Sequence, residues 1–460
     1  MQAFPSLLFE LEVRTNHPDV YWPQAAGAFR QSLNVMNSPD KLVPFRWPPA
    51  WTDTARLTLF DGSPINCLLC EDLAAAKPVA EAARSKGFTV LEWKALGAAP
   101  LADVKWNSPA QQTVVTGLEW PRIRLSARKS ADADSGPTGA PWIDSNTWVA
   151  RLAAVRAPHR PVWLGFERPA NSPAIGDAPY LIAIADSAAA GARWIISFDE
   201  GLRSGLLSGN SDAKKTWQSI TSALAFFEQH RDWTAWEPDG SIGILSSFSG
   251  NDEFMGQEVL NLAARRNLLY RVLDRSTPAS HKLDGLRAVL YVDGEAPSPE
   301  LKAKLAAFAR AGGLLIVPHV LASEFAGEKR IECPVAGYDV RTFGKGSVAA
   351  ATREWEDPFF VAADIHSLAS RRNDPVRLFN ARSLWEHYSS APGGRGALLQ
   401  LVGFTGRVNP SVAVAPARPW RSATLHTIGS TAALEPVTVD GRSEFHLPPF
   451  SHYAALEFKS

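Results

Sequence analysis

A (β/α) barrel, complete or short of a strand, then a doubly wound α/β module and a C-terminal β-sandwich is the α/β architecture this sequence predicts. Three observations carry that expectation. Over residues 1–237, nearly continuous apolar runs alternate with helical patterns, as in a parallel sheet covered on both faces. A sharper β/α rhythm fills 238–342, and from 343 to 460 the helical rhythm is lost. Thirteen of the 16 tryptophans precede residue 237, so the first segment has a different job from the other two.

In the first segment the strand candidates are Leu7 to Val13, Ile65 to Cys70, Phe88 to Trp93, Gly117 to Ile123, Pro161 to Glu167 and Arg193 to Asp199. Leu42 to Trp47 and Arg56 to Phe60 are weaker ones. Between them Asp72 can cap a helix through Ser85, with Gly87 as its stop. Tyr180 to Ala190 ends at Gly191, and Ala213 to His230 carries Trp217, Ile220, Leu224 and Phe227 on one stripe. In the second segment, strands at Ser241 to Phe248, Leu268 to Leu273, Leu286 to Val292 and Leu314 to Val317 enclose two helices. One helix spans about Glu253 to Arg266. The other starts at Ser298-Pro299 and stops at Gly312-Gly313. Short alternating runs at Ser411 to Val414, Ser422 to His426 and Ala454 to Phe458 give the third segment its sandwich pattern. Gly344-Lys345-Gly346 reads as a hairpin turn.

Composition removes several function classes. The 47 basic residues balance 47 acidic ones, which argues against nucleic acid or an anionic membrane as partner. No stretch reaches the roughly 18 apolar residues of a membrane span. The first dozen residues lack the basic start of a signal peptide, so the expected location is the cytoplasm, or outside it with a leader removed. Three cysteines make no disulfide scaffold. Cys67 and Cys70 lie in one strand, where residues three apart face opposite ways, and read as buried structural thiols. The ten histidines form no close pair, so no metal and no other cofactor is expected. Nucleophile-elbow and phosphate-loop motifs are absent as well.

Barrel strands deliver their active residues at their C-terminal ends. Those ends carry Glu71-Asp72, Glu92-Trp93, Glu119-Trp120, Glu167 and Asp199-Glu200, and a loop adds Trp142, Asp144 and Asn146. Paired carboxyls with aromatic faces suit glycosidic bond cleavage, in which one acid protonates the leaving oxygen and a second carboxylate attacks or activates water. Glu167 and Asp199 end the two strongest strands and are the expected catalytic pair, Glu167 as general acid and Asp199 as nucleophile or base. Glu92, Trp93, Glu119, Trp120, Trp142, Asp144 and Asn146 are the expected sugar-binding set. Each has a structural counterpart: a cap for Asp72, barrel packing for Trp93 and Trp120, ion pairs with Arg122 or Arg124 for Glu92 and Glu119.

The module order resembles that of family 42-type β-galactosidases and related glycoside hydrolases. The likeness rests on Ser241 to Phe248, Leu286 to Gly294, Gly313 to His319, and Phe343 to Val348. It implies a middle module like a class I glutamine amidotransferase without its cysteine, serving homo-oligomer contacts, and a carbohydrate substrate. Departures accompany it. The Asn-Glu pair usual in that barrel clan is absent, and the turn after Val317 offers Pro318 and His319 where an amidotransferase nucleophile would stand. No catalytic residue is therefore carried over. The expected function is a glycoside hydrolase; the rival is a non-catalytic carbohydrate-binding or assembly protein on a degenerate barrel. A barrel enzyme of another kind, such as a deacetylase, fits least because metal ligands are not visible.

Overall fold

The computed structural model describes residues 38–124, 142–166, 175–277, 281–333, 335–370, 373–381, 383–405 and 407–459; the side chains of Arg124, Trp142 and Ser370 are left aside. The chain divides into a short unit, Met1–Lys41, and a large one, Leu42–Ser460. Of the short unit, residues 38–41 are described and include a 3-10 turn, Pro39–Lys41. Everything below concerns the large unit. The candidate strand Leu7 to Val13 and the residue Glu167 lie outside the described residues.

Strands β1 (Pro44–Arg46), β2 (Cys67–Cys70) and β3 (Thr89–Glu92) form one parallel ladder. A second ladder begins with β4 (Ala99–Pro100) and β5 (Thr113–Thr116). An antiparallel pair, β6 (Arg122–Arg124) and β7 (Trp142–Asp144), intervenes before β8 (Val162–Leu164) and β9 (Arg193–Trp194) complete it in parallel. A parallel bridge from Phe45 to Ile196 joins the two ladders, the Arg46 N–H donating to Ile196 O at 2.8 Å. Apart from the hairpin, neighbours thus follow chain order and return to β1. Among the described residues no ladder links β3 to β4, so the sheet is not closed.

The two faces of β2 separate cleanly. Cys67 and Leu69 meet Leu42, Trp93, Val114, Trp163 and Ile195 on the inner side. Leu68 and Cys70 meet the helical layer, built by α1 (Lys77–Ser85), α2 (Thr147–Arg156), α3 (Asp177–Ala189), α4 (Glu200–Ser208) and α5 (Ser211–Gln229). Alternation of side chains along a strand is the cause.

Two expected elements are corrected. Arg56 to Phe60 is a 3-10 helix, Thr54–Phe60, not a strand. Asp53 caps it by accepting from the Ala55 N–H at 2.9 Å, and Leu57 and Phe60, three apart, reach the core together as a 3-10 turn allows. Gly117 to Ile123 is not one strand either. Gly117 takes φ +71° and ends β5, a conformation that a side chain resists. Asp72 caps the turn ahead of α1, accepting from Ala74 and Ala75, instead of the helix itself.

After β10 (Glu237–Pro238), the middle sheet comprises β11 (Ile242–Ser246), β12 (Tyr270–Asp274), β13 (Ala288–Tyr291), β14 (Leu314–Val317), β15 (Arg330–Ile331), β16 (Tyr338–Phe343) and β17 (Gly346–Ala351). Their order is β12-β11-β13-β14-β17-β16-β15, the first five parallel. Helices α6 (Glu253–Arg265), α7 (Pro299–Ala311) and α8 (Pro358–Ile365) cover it. Ser298 caps α7 through the Leu301 N–H. The Gly344 turn joins β16 to β17, and a Cβ on Gly346 would strike the Ala309 and Gly313 carbonyls, so glycine is required there. This sheet therefore runs past residue 343, where the sequence pattern places a new segment.

Two antiparallel sheets follow. β18 (Val376–Phe379) pairs with β21 (Ala413–Pro416), and β24 (Val437–Val439) with β25 (Arg442–His446), in a four-stranded sheet. β19 (Leu384–Ser390), β20 (Gly396–Gly403), β26 (Tyr453–Lys459), β22 (Ser422–Thr427) and β23 (Ser430–Leu434) form the other, with β10 on its edge. Val376, Val414 and Phe445 from one sheet share a core with Leu399, Leu401 and Leu456 from the other. Polar ties link the modules. Arg156 of α2 pairs with the fully buried Asp274 of β12, and the Arg151 guanidinium lies 2.8 Å from His387 Nδ1 of β19. No helix among the described residues is long and apolar enough to cross a membrane.

Candidate active site

The C-terminal ends of β1, β2 and β3 present Arg46, Glu71 and Glu92-Trp93. Arg46 Nη2 meets Glu71 Oε2 at 2.9 Å, while the guanidinium stacks 4.3 Å above the Trp93 ring. Such a stack combines cation–π attraction with a fixed fork of donors. Glu71 stays 39% exposed, so this pair is open to a ligand. Trp93 is otherwise buried, its ring edge near Gly165 after β8, and it shares a core cluster with Val114 of β5 and Ile195 after β9. One indole thus spans from the first ladder to the second. Glu92 is half-buried on the same strand end.

On the other side, Trp120 is buried edge-on against Phe166, Tyr180 and Trp194, with centroids 5.3–5.6 Å apart. Phe166 immediately precedes Glu167. Asp199 is 2% exposed and N-caps α4, accepting from the Leu202 N–H at 2.9 Å. Tyr180 donates to Asp199 Oδ2 at 3.0 Å and accepts from the Asp199 N–H at 2.9 Å. The carboxylate is thereby fixed in place by a helix end and a phenol. Glu200 beside it is turned to Arg203 in a surface ion pair.

Glu119 is exposed, and its carbonyl accepts from Asn146 Nδ2 at 2.8 Å. Asp144 is buried and lies 3.5 Å from Arg122 Nε; Trp142 occupies the start of the same strand. Asn146 and its neighbours are organised by a residue that the sequence reading missed. Asp186 of α3, fully buried, accepts from Ser145 Oγ at 2.5 Å, the Asn146 N–H at 2.8 Å and Thr147 Oγ1 at 2.9 Å, closing the open N-terminus of α2. Burial pushes its carboxyl up to about 6, and these three donors oppose the rise. The available signal was a single acid inside the apolar run Leu181 to Ala190. Arg46 was missed because only acidic and aromatic strand ends were read; Tyr180 left no signal.

The structure therefore groups Arg46, Glu71 and Trp93 at the ends of β1 to β3, and Phe166, Trp120, Tyr180 and Asp199 in a second, buried cluster against the helical layer; Gly165, next to Phe166 in sequence, lies near the Trp93 ring edge. Asp144 and Asn146 belong to the neighbouring hairpin and helix start. Among the described residues no group of three or more His, Cys, Asp and Glu is placed to hold a metal ion.

With that geometry established, the fold can be placed among known ones. It is similar to Gan42B, a GH42 β-galactosidase from G. stearothermophilus, with TM-score 0.50, 10% identity, and 91% of this chain and 98% of that one covered. It is similar to the β-galactosidase of Bacillus circulans sp. alkalophilus, with TM-score 0.51, 8% identity, and coverages of 91% and 99%. Alignment to α-L-fucosidase isoenzyme 2 from Paenibacillus thiaminolyticus gives TM-score 0.49 and 12% identity over 68% of this chain, which spans 62% of that protein; it spans 66% of Gan42B in a second structure of that enzyme. No protein-family model matches the chain, and no curated protein matches it. The protein thus has a GH42-like α/β fold with parallel sheets.

Proposed function

We propose that this protein is a glycoside hydrolase acting on a carbohydrate at the ring of strand ends described above. In this reading the first segment is a barrel left open between β3 and β4, the middle module is amidotransferase-like and a site of oligomer contacts, and the last segment is a sandwich. The observation that carries it is the Arg46–Glu71 pair against Trp93 at the ends of β1 to β3, with the Phe166–Trp120–Tyr180–Asp199 cluster following β5, β8 and β9 at the same end of the sheet, where this architecture puts chemistry. A half-buried arginine–glutamate pair beside an indole can bind hydroxyls. Glu167, following Phe166, is the proposed general acid, and Asp199, held at a helix N-terminus by the Leu202 N–H and Tyr180, the proposed nucleophile or base. Glu92, Glu119, Trp142, Asp144 and Asn146 would border the substrate.

Asp199→Asn is the decisive variant because asparagine caps helices about as well as aspartate. Turnover of aryl glycosides should collapse while the thermal midpoint holds, and Glu167→Gln should collapse it too. Unchanged turnover in Asp199→Asn reduces that residue to a cap and ends its catalytic assignment. The burial of Trp120 and the capping role of Asp199 favour the second reading, a carbohydrate-binding or assembly protein on a degenerate barrel. Sugar binding without hydrolysis across a broad glycoside panel would select it.

A further inference from the structure

A groove of about 690 Å³ runs between α5 and the C-terminal sheet, and none of Arg46, Glu71, Trp93 or Asp199 lines it. Its volume falls within the roughly 300–1,000 Å³ of small-molecule sites. One wall is Lys215, Gln218, Ser219 and Ser222, a single i, i+3, i+4, i+7 stripe of α5, whose other face sends Trp217, Ile220 and Leu224 into the core. Leu181 and Phe450 form an apolar floor, and Ser451 and His452 stand opposite the helix.

The polar groups of this wall are unspent. Ser204, Ser208 and Thr221 donate back to carbonyls of their own helices, the usual fate of helical hydroxyls. Ser219, Ser222 and the Gln218 amide make no such bond among the described residues. Charge is balanced: Lys215 lies 3.4 Å from Asp212, and burial holds the His452 imidazole below its usual range, against the pull of Asp177. An anion would find one cation already countered by a carboxylate. An uncharged polyol finds donors and acceptors above an apolar floor.

We propose that this groove is a second binding site, for a neutral saccharide, distinct from the strand-end site. Its ligand class rests on the glycosidase reading; its location does not. The test is isothermal titration of the full chain with lactose, cellobiose, maltose and mannobiose, with galacturonate as the charged comparison. At least one neutral sugar should bind saturably, and Ser219→Leu/Ser222→Leu should weaken it about tenfold or more while aryl-glycoside turnover is unchanged. Gln218→Ala, at an exposed position, should weaken binding in the same direction and carries the test if the leucine pair fails to fold. Absence of saturable binding by every neutral sugar, binding untouched by the variants, or tighter binding of galacturonate overturns the proposal. A wild type that binds here but hydrolyses nothing removes the strand-end reading and leaves this one standing.

Discussion

Asp186 holds three donors of the α2 start from a fully buried position, so its protonation state is tied to folding. Its folded value of about 6 lies above the roughly 3.9 of an unfolded aspartate. The folded state therefore keeps the proton longer. Its contribution is fullest below about pH 4, declines up to about pH 6, and is constant above, a loss on the order of 3 kcal/mol. Chemical denaturation from pH 4 to 7 should show that decline, and Asp186→Asn should flatten it; an unchanged slope in the variant would remove Asp186 as the source. This residue also shows why the site was only partly legible. Strand-end position is written in sequence, so Glu71 and Trp93, which follow β2 and β3, could be found. Engagement is not, because the Tyr180–Asp199 bonds join positions 19 apart through tertiary packing. Arg46 could have been read from the strand end it shares with β2, since a cation beside a predicted acid is a local signal once β1 and β2 are paired.

At the scale of elements, β2 makes the clearest statement. Its thiols point to opposite layers, and burial pushes Cys67 up to about 12, aided by Cys70, and Cys70 to about 11 despite Arg84. Thiolate is the reactive form. Native labelling with a disulfide reagent at pH 8 should therefore modify Cys333 alone, which is half-buried, and all three cysteines once the chain is unfolded. Rapid native labelling of Cys67 or Cys70 would contradict the strand's placement. Continuous apolar strands and capped helices were legible because their periodicity is local: β14, α7 and α5 lie where the pattern puts them. The Thr54–Phe60 turn and the split at Gly117 were not, since a short apolar run fits a strand or a helical turn equally until capping and φ decide.

At the scale of the whole molecule, polar contacts tie the first set of helices to the later sheets. Arg156 and Asp274 join α2 to the middle sheet, with Asp274 fully buried. Removing the arginine leaves that carboxylate without its counter-ion, a loss of about 3–5 kcal/mol. Calorimetry of Arg156→Met should show a lower midpoint and a transition split between modules; one unshifted transition would contradict that tie. An α/β fold with parallel sheets was legible from the rhythm of the sequence, whereas the extent of the sheet that holds β14 was not, because β17 reaches β14 from across a hairpin. The claim on which the functional account depends is that several strand ends form one carbohydrate site. A crystal soaked with a neutral aryl glycoside tests this most directly. The account predicts a sugar ring contacting Arg46, Glu71 and Trp93 with its anomeric carbon toward Glu167 and Asp199. Sugar bound only elsewhere, with the strand ends empty at saturating concentration, would contradict it.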